Sequence, residues 1–135
     1  MQRILIIHTS DEDLKEIAEG IKEGAEKNGF RVELRNTADG AGGVSFYPYD
    51  LIIAGSPTLG IFKGKIDNSL RKFLTDVKRT TGQVAYAYVK PRFFATKKAL
   101  KEVMAALEEQ GCIVKNFKAI KDHQSAVEFG ENIKI

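Results

Sequence analysis

Three short runs limit what this chain can fold into more than any other feature: ILII at 4–7, LIIA at 51–54 and VAYAYV at 84–89. Each offers apolar side chains to both sides of an extended backbone. A strand with one wet face alternates apolar and polar residues, whereas an unbroken run belongs to a strand covered on both faces, as in parallel sheets flanked by helices. The expected class is therefore α/β.

The segments between these runs supply the covering layers. Leu14, Ile17, Ala18, Ile21 and Ala25 recur at helical spacing, Ser10 and Asp13 fit a capping box ahead of them, and Gly29 stands where a left-handed residue ends a helix. Ile66, Leu70, Phe73, Leu74 and Val77 mark a second helical face, and Leu100, Val103, Met104 and Leu107 a third that Gly111 stops. Phe30, Val32 and Leu34 alternate with Arg31, Glu33 and Arg35, which suits a half-exposed edge strand. Residues 113–117 form a fifth strand and 126–133 a short last helix. Between the second and third strands, NTADGAGGVSFYP lacks helical periodicity, so a helix there is expected to be short or absent, and its glycines read as a plain loop.

With 135 residues the chain suits one domain, 1–135. Right-handed crossovers then give a five-stranded parallel sheet in the order 2-1-3-4-5, with helices on both faces. Ligands of such sheets sit beyond the carboxyl ends of strands 1 and 3, where the winding reverses. That rule selects three loops: 8–13, 55–64 and 90–96.

Charge is nearly balanced at +3, but unevenly spread. Residues 1–36 carry eight acids and six bases, whereas 63–101 carry eleven Lys and Arg against Asp67 and Asp76. The loop placement puts Lys63, Lys65, Arg92, Lys97 and Lys98 near the carboxyl edge, a rim suited to anions or an acidic partner. A nucleic-acid partner is not expected. No run approaches the roughly 20 apolar residues of a membrane span, and Met1 leads straight into a strand pattern, so a cytoplasmic protein without membrane contact is expected. The single cysteine, Cys112, reads as a small buried residue. His8 at a strand end reads as a packed or hydrogen-bonded residue more readily than as a metal ligand with Asp11 and Asp13. Oligomeric state is not legible.

ILIIHTS leading to KEIAEGI, YDLIIAGSPTLG followed by LRKFL, ALKEVMAALEEQGCIV, and AVEFGENI near the end together make the chain resemble the flavodoxin family along nearly its whole length. YDLIIAGSPT is the most specific of these. The resemblance implies an FMN-binding electron carrier, the first loop holding the phosphate and the other two flanking the isoalloxazine ring. Carried over residue by residue, it places Thr9 and Ser10 at the phosphate, and Ser56, Pro57, Thr58, Leu59 and Gly60 beside the ring. Leu59 stands where relatives commonly stack an aromatic, a place that Phe62 nearby would fill, and Phe93 or Phe94 would form an apolar wall.

The first loop departs from the family pattern. Flavodoxins present a glycine- and hydroxyl-rich turn at a helix N-terminus, a natural anion site. After Thr9 and Ser10 this loop is about one residue short, has no glycine and carries Asp11, Glu12 and Asp13. A carboxylate about 4 Å from a phosphate costs roughly 4 kcal/mol per pair of unit charges at an effective dielectric of about 20. The same acids are favoured without a ligand, because carboxylates in a first helical turn complement the helix dipole. Two readings follow. One is a flavodoxin-like electron-transfer protein with weak or altered FMN binding; the other is a cofactor-free relative that binds a protein partner or a small anion. A phosphorylated receiver domain needs an Asp after strand 3, where Gly55 and Ser56 stand, and neither Ser56 nor Thr9 has a base that would make it a hydrolytic nucleophile.

Overall fold

The computed structural model describes residues 1–135. The strands are β1 (Arg3–His8), β2 (Arg31–Asn36), β3 (Leu51–Pro57), β4 (Val84–Lys90) and β5 (Ile113–Ala119), all parallel, in the order β2-β1-β3-β4-β5. The helices are α1 (Glu12–Lys27), α2 (Asn68–Asp76), α3 (Thr96–Glu109) and α4 (His123–Glu131). The expected doubly wound architecture is thus the observed one. No helix is long and apolar enough to cross a membrane.

The unbroken apolar runs behave as their composition demands, for Ile4 to Ile7 and Leu51 to Ala54 are all almost fully buried. Alternate residues of each strand feed separate cores. Leu5, Ile7, Ile52 and Ala54 join Leu70, Phe73 and Leu74 of α2 and Val103 and Leu107 of α3. Ile4, Ile6, Leu51 and Ile53 join Leu14, Ile17 and Ile21 of α1 and Ala126 and Phe129 of α4. Burying a side chain of this size stabilises by roughly 1.5–3 kcal/mol each, which is what opposes the entropy of ordering five strands.

Between β2 and β3 there is only a 3₁₀ turn, Thr37–Asp39. The irregular stretch after it does a helix's packing: Ala41, Val44 and Phe46 enter the α2–α3 core, and backbone bonds with Lys78 pin it in place. Helix termination follows the expected chemistry, with Gly29 and Gly111 at φ 83° and 87°. Three boundaries differ. Asp11, not Ser10, caps α1, because its carboxylate reaches the Leu14 N–H. Ile66 packs from the loop, since Asp67 caps α2 one residue later, and α4 starts at His123, where Asp122 caps by accepting from Ser125 N.

On the α1–α4 face the helices touch backbone to backbone. A Cβ on Gly24 would lie 2.0 Å from the Val127 carbonyl oxygen, and one on Gly130 would lie 2.2 Å from that of Ile21. Only glycine permits this approach.

Candidate functional site: the carboxyl edge of the sheet

The three selected loops meet at the carboxyl end of β1, β3 and β4. In the first, Thr9 is fully buried and its hydroxyl donates to Asp11 Oδ1 at 2.5 Å, while Asp11 Oδ2 accepts from Leu14 N at 3.3 Å. One carboxylate thereby takes both the hydroxyl and the helix N–H that the turn has to give. His8, 4% exposed, donates from Nδ1 to the Thr9 carbonyl at 2.8 Å, which leaves it a hydrogen-bonded structural residue. Ser10 is exposed.

The second loop is also turned inward. Ser56, fully buried, donates to the Pro57 carbonyl and accepts from Asp67 N, both at 2.9 Å, which ties the end of β3 to the start of α2. Thr58, 3% exposed, donates to the Lys90 carbonyl at 2.6 Å. Beyond it the chain doubles back: Leu59 and Lys65 exchange two backbone hydrogen bonds, with Gly60 turning at φ 79°. The lobe between them carries Ile61 and Phe62 outward, while Gly64 packs so closely on α3 that a Cβ there would meet that of Lys98 at 2.2 Å.

The third loop leaves β4 at Lys90, whose ammonium pairs with Asp13 Oδ2 at 2.5 Å. Both side chains are over a third exposed, so the pair adds at most about 1 kcal/mol, but it bridges the third loop to the first. Phe93 and Phe94 follow in a short 3₁₀ turn, Phe93 at φ 48°. Phe94 lies parallel to Phe62, ring centroids 5.8 Å apart, and the Lys98 ammonium lies 3.4 Å from the Phe62 carbonyl oxygen. Phe93 is 75% exposed. Pro57, Thr58, Leu59, Lys90 and Arg92 line a cleft of about 260 Å³, with Asp13 at one side. Drug-sized ligands generally occupy clefts of roughly 300–1,000 Å³, so this one is small.

Beneath the crevice, the Tyr88 ring fills the space where a side chain on Gly55 would stand, 2.1–2.3 Å from an imagined Cβ, and its hydroxyl points to the Ile7 carbonyl. Burial, with the nearby Asp11 charge adding to it, holds that hydroxyl well above the ordinary tyrosine range, so it is neutral.

The structure therefore brings Thr9, Ser56, Pro57, Thr58, Leu59, Gly60 and Phe62 to one edge, with Ser10 and Phe93 at its margins. The hydroxyls of Thr9, Ser56 and Thr58 all serve internal bonds. As it stands, the first loop does not fit a phosphate: an incoming dianion would have to displace Asp11 from its two donors while lying beside Asp13. The second and third loops, residues 58–65 and 90–96, carry no carboxylate. Sequence reasoning missed Asp11 as the internal acceptor, although an Asp two residues after a buried Thr and three before the first core Leu is its signature. It also missed the Lys90–Asp13 bridge, which spans 77 residues.

No family model matches the chain, and no curated protein matches it. Among solved structures, flavodoxin 1 from Bacillus cereus superposes with a TM-score of 0.69 at 20% identity, covering 96% of this chain and 95% of that one. A flavodoxin from the domain Archaea gives 0.67 at 18% identity (98% and 95% covered), and the flavodoxin of Streptococcus pneumonia TIGR4 gives 0.70 at 16% (96% and 95%). At these identities the likeness is one of fold, and the chain is flavodoxin-like.

Proposed function

We propose that this flavodoxin-like protein serves FMN-type electron transfer with a flavin held weakly and from its ring side. The observation that carries the reading is the carboxyl-edge crevice lined by Pro57, Thr58, Leu59 and Arg92, on the two loops that carry the exposed, parallel rings of Phe62 and Phe94. The flavodoxins that share the fold support it. When bound, a flavin would supply the redox chemistry. The chain's contribution is an apolar wall at the rim, backbone freedom at Gly60 and a cationic surround. Asp11, holding Thr9 and the helix N-terminus for itself, removes the phosphate's share of the affinity.

That division has a direct test: titrate the protein with riboflavin and with FMN and follow quenching of flavin fluorescence. Ring-side binding gives the two flavins affinities within about threefold of one another, and the flavin is lost on dialysis. FMN retained at one equivalent per chain, with riboflavin far weaker, would overturn the closed-loop reading.

A second reading rests on the Asp11 geometry itself. A loop that has supplied its own anion has no need of a cofactor, and the protein is then a cofactor-free flavodoxin-like domain that binds a protein partner or small anion at the same edge. Absence of quenching with excess of either flavin selects it.

A further inference from the structure

Two tips project side by side from the carboxyl edge, the lobe 59–65 and the turn 91–95. Their apolar side chains are unusually bare: Ile61 is 50% exposed, Phe62 66%, Phe93 75% and Phe94 80%. Scattered exposed apolar residues need no explanation, but four on two neighbouring tips, Phe62 and Phe94 of them stacked across the gap, mark an interaction surface. The backbone agrees, because Phe93 sits in the left-handed region at φ 48°, a conformation unfavourable for a bulky residue, and no burial of its ring compensates for it.

The unpaired charge around these tips is cationic, the carboxylate at the cleft, Asp13, being paired with Lys90. Lys63, Lys65, Arg92, Lys97 and Lys98 are exposed, none lies within 4.0 Å of a carboxylate, and segments 58–65 and 90–101 contain no Asp or Glu. Lys97 and Lys98 occupy the first turn of α3, where the helix dipole disfavours cations and no side chain caps the end. Such an arrangement is unfavourable within the isolated chain and becomes favourable against an anionic surface.

We propose that the lobe 59–65 and the turn 91–95 form the docking surface for an acidic protein, with Phe62 and Phe94 as the central anchors and the lysines as the rim. This deepens the reading of the carboxyl edge as the working face and stands whether or not a flavin is bound. A protein fits better than a lipid surface because the tips flank a concavity, the cleft lined by Pro57, Thr58 and Arg92, which receives a side chain but has no role on a flat bilayer. Aromatic anchors inside a polar rim are the usual anatomy of such contacts, and the cations set salt dependence and encounter rate.

The test uses flavin-free full-length protein and a fluorescein-labelled peptide alternating Glu with Leu and Phe, read by anisotropy. Binding should weaken at least tenfold between about 50 and 300 mM NaCl. Phe62→Ser with Phe94→Ser should lose at least tenfold in affinity with the salt dependence kept, and Lys63→Gln, Lys97→Gln and Lys98→Gln together should flatten it. All five residues are exposed, so far-ultraviolet circular dichroism should be unchanged; if the phenylalanine pair proves unstable, the lysine variant decides alone. Equal binding of a peptide with Gln in place of Glu, or indifference to the variants, overturns the proposal. So does association with phosphatidylserine vesicles without binding of the acidic peptide, which would assign the surface to a membrane. Loss of flavin binding in the separate titration leaves this result untouched.

Discussion

Replacing Asp11 by alanine and, separately, by asparagine takes apart the two things its carboxylate does. In the alanine variant α1 loses its cap, which costs typically about 1 kcal/mol. The Thr9 hydroxyl, fully buried and 2.5 Å from Asp11, loses its acceptor as well, and an unsatisfied buried donor costs about 1–3 kcal/mol. Asp11 itself is exposed, so water can partly replace it, and the lower end of that range applies. The expected loss is about 2 kcal/mol, or close to 8 °C in Tm for a domain of this size at roughly 4 °C per kcal/mol. Asparagine keeps one oxygen, which can accept from Leu14 N while its amide nitrogen donates to the Thr9 hydroxyl oxygen, so it should cost less than alanine, while removing one charge from the phosphate end. Urea unfolding followed by circular dichroism measures all three proteins. Thr9→Val closes the cycle: once Asp11 is alanine, deleting the hydroxyl should cost nothing further, leaving a coupling of about 1 kcal/mol. If Asp11→Ala unfolds within about 0.5 kcal/mol of the parent, the carboxylate is not the internal anion of this loop, and the argument against the phosphate loses its basis.

Other outcomes follow from single contacts. Gly55→Ala should destabilise by at least about 1–3 kcal/mol in thermal or urea unfolding, because the added methyl would overlap the Tyr88 ring at 2.1–2.3 Å and neither backbone nor ring has room to move. The Glu33 carboxyl is held below its ordinary value of 4.5, first by the Tyr49 hydroxyl at 2.5 Å and then by Arg3 at 2.8 Å. A depressed carboxylate contributes stability above the unfolded value and loses it as pH falls through the folded one. The Tm advantage of the parent over Glu33→Gln should therefore be full at neutral pH and shrink below about pH 4.5. Burial pushes the Cys112 thiol up to about 11, so in the native protein it should react with a disulfide reagent at pH 8 far more slowly than after unfolding; an equal rate would show it to be accessible.

The sheet was legible because its determinants are local and repetitive: ILII, LIIA and VAYAYV could be buried on both faces in only a few ways, and winding rules ordered them. The missing second helix was legible from NTADGAGGVSFYP, although not that Ala41, Val44 and Phe46 would fill a helix's place. The site was legible in its location but not in its state. Whether Thr58 offers its hydroxyl to a ligand depends on the Lys90 carbonyl, 32 residues away, and Ser56 is engaged by Asp67. Rotamer choices set by distant backbone leave no periodic trace. The α1 cap was misplaced by one residue because Ser10 and Asp11 are both good caps, and the buried Thr9 hydroxyl decides between them.

The glycine contact between α1 and α4 also sets the order in which the fold can close. As the chain is synthesised, the groove that Gly20 and Gly24 leave along α1 waits about a hundred residues for Ala126 and Gly130 to arrive. Until then the flank of α1 that faces α4 and the Tyr86 ring, which Phe129 meets edge-on, stand open, although Ile17 and Ile21 already lie against the central strands. Contacts so distant in sequence form slowly, and surfaces that wait for them are open to association. In this protein the last helix works as a latch: the interval before residues 123–131 dock is when the nascent chain most needs protection from other chains.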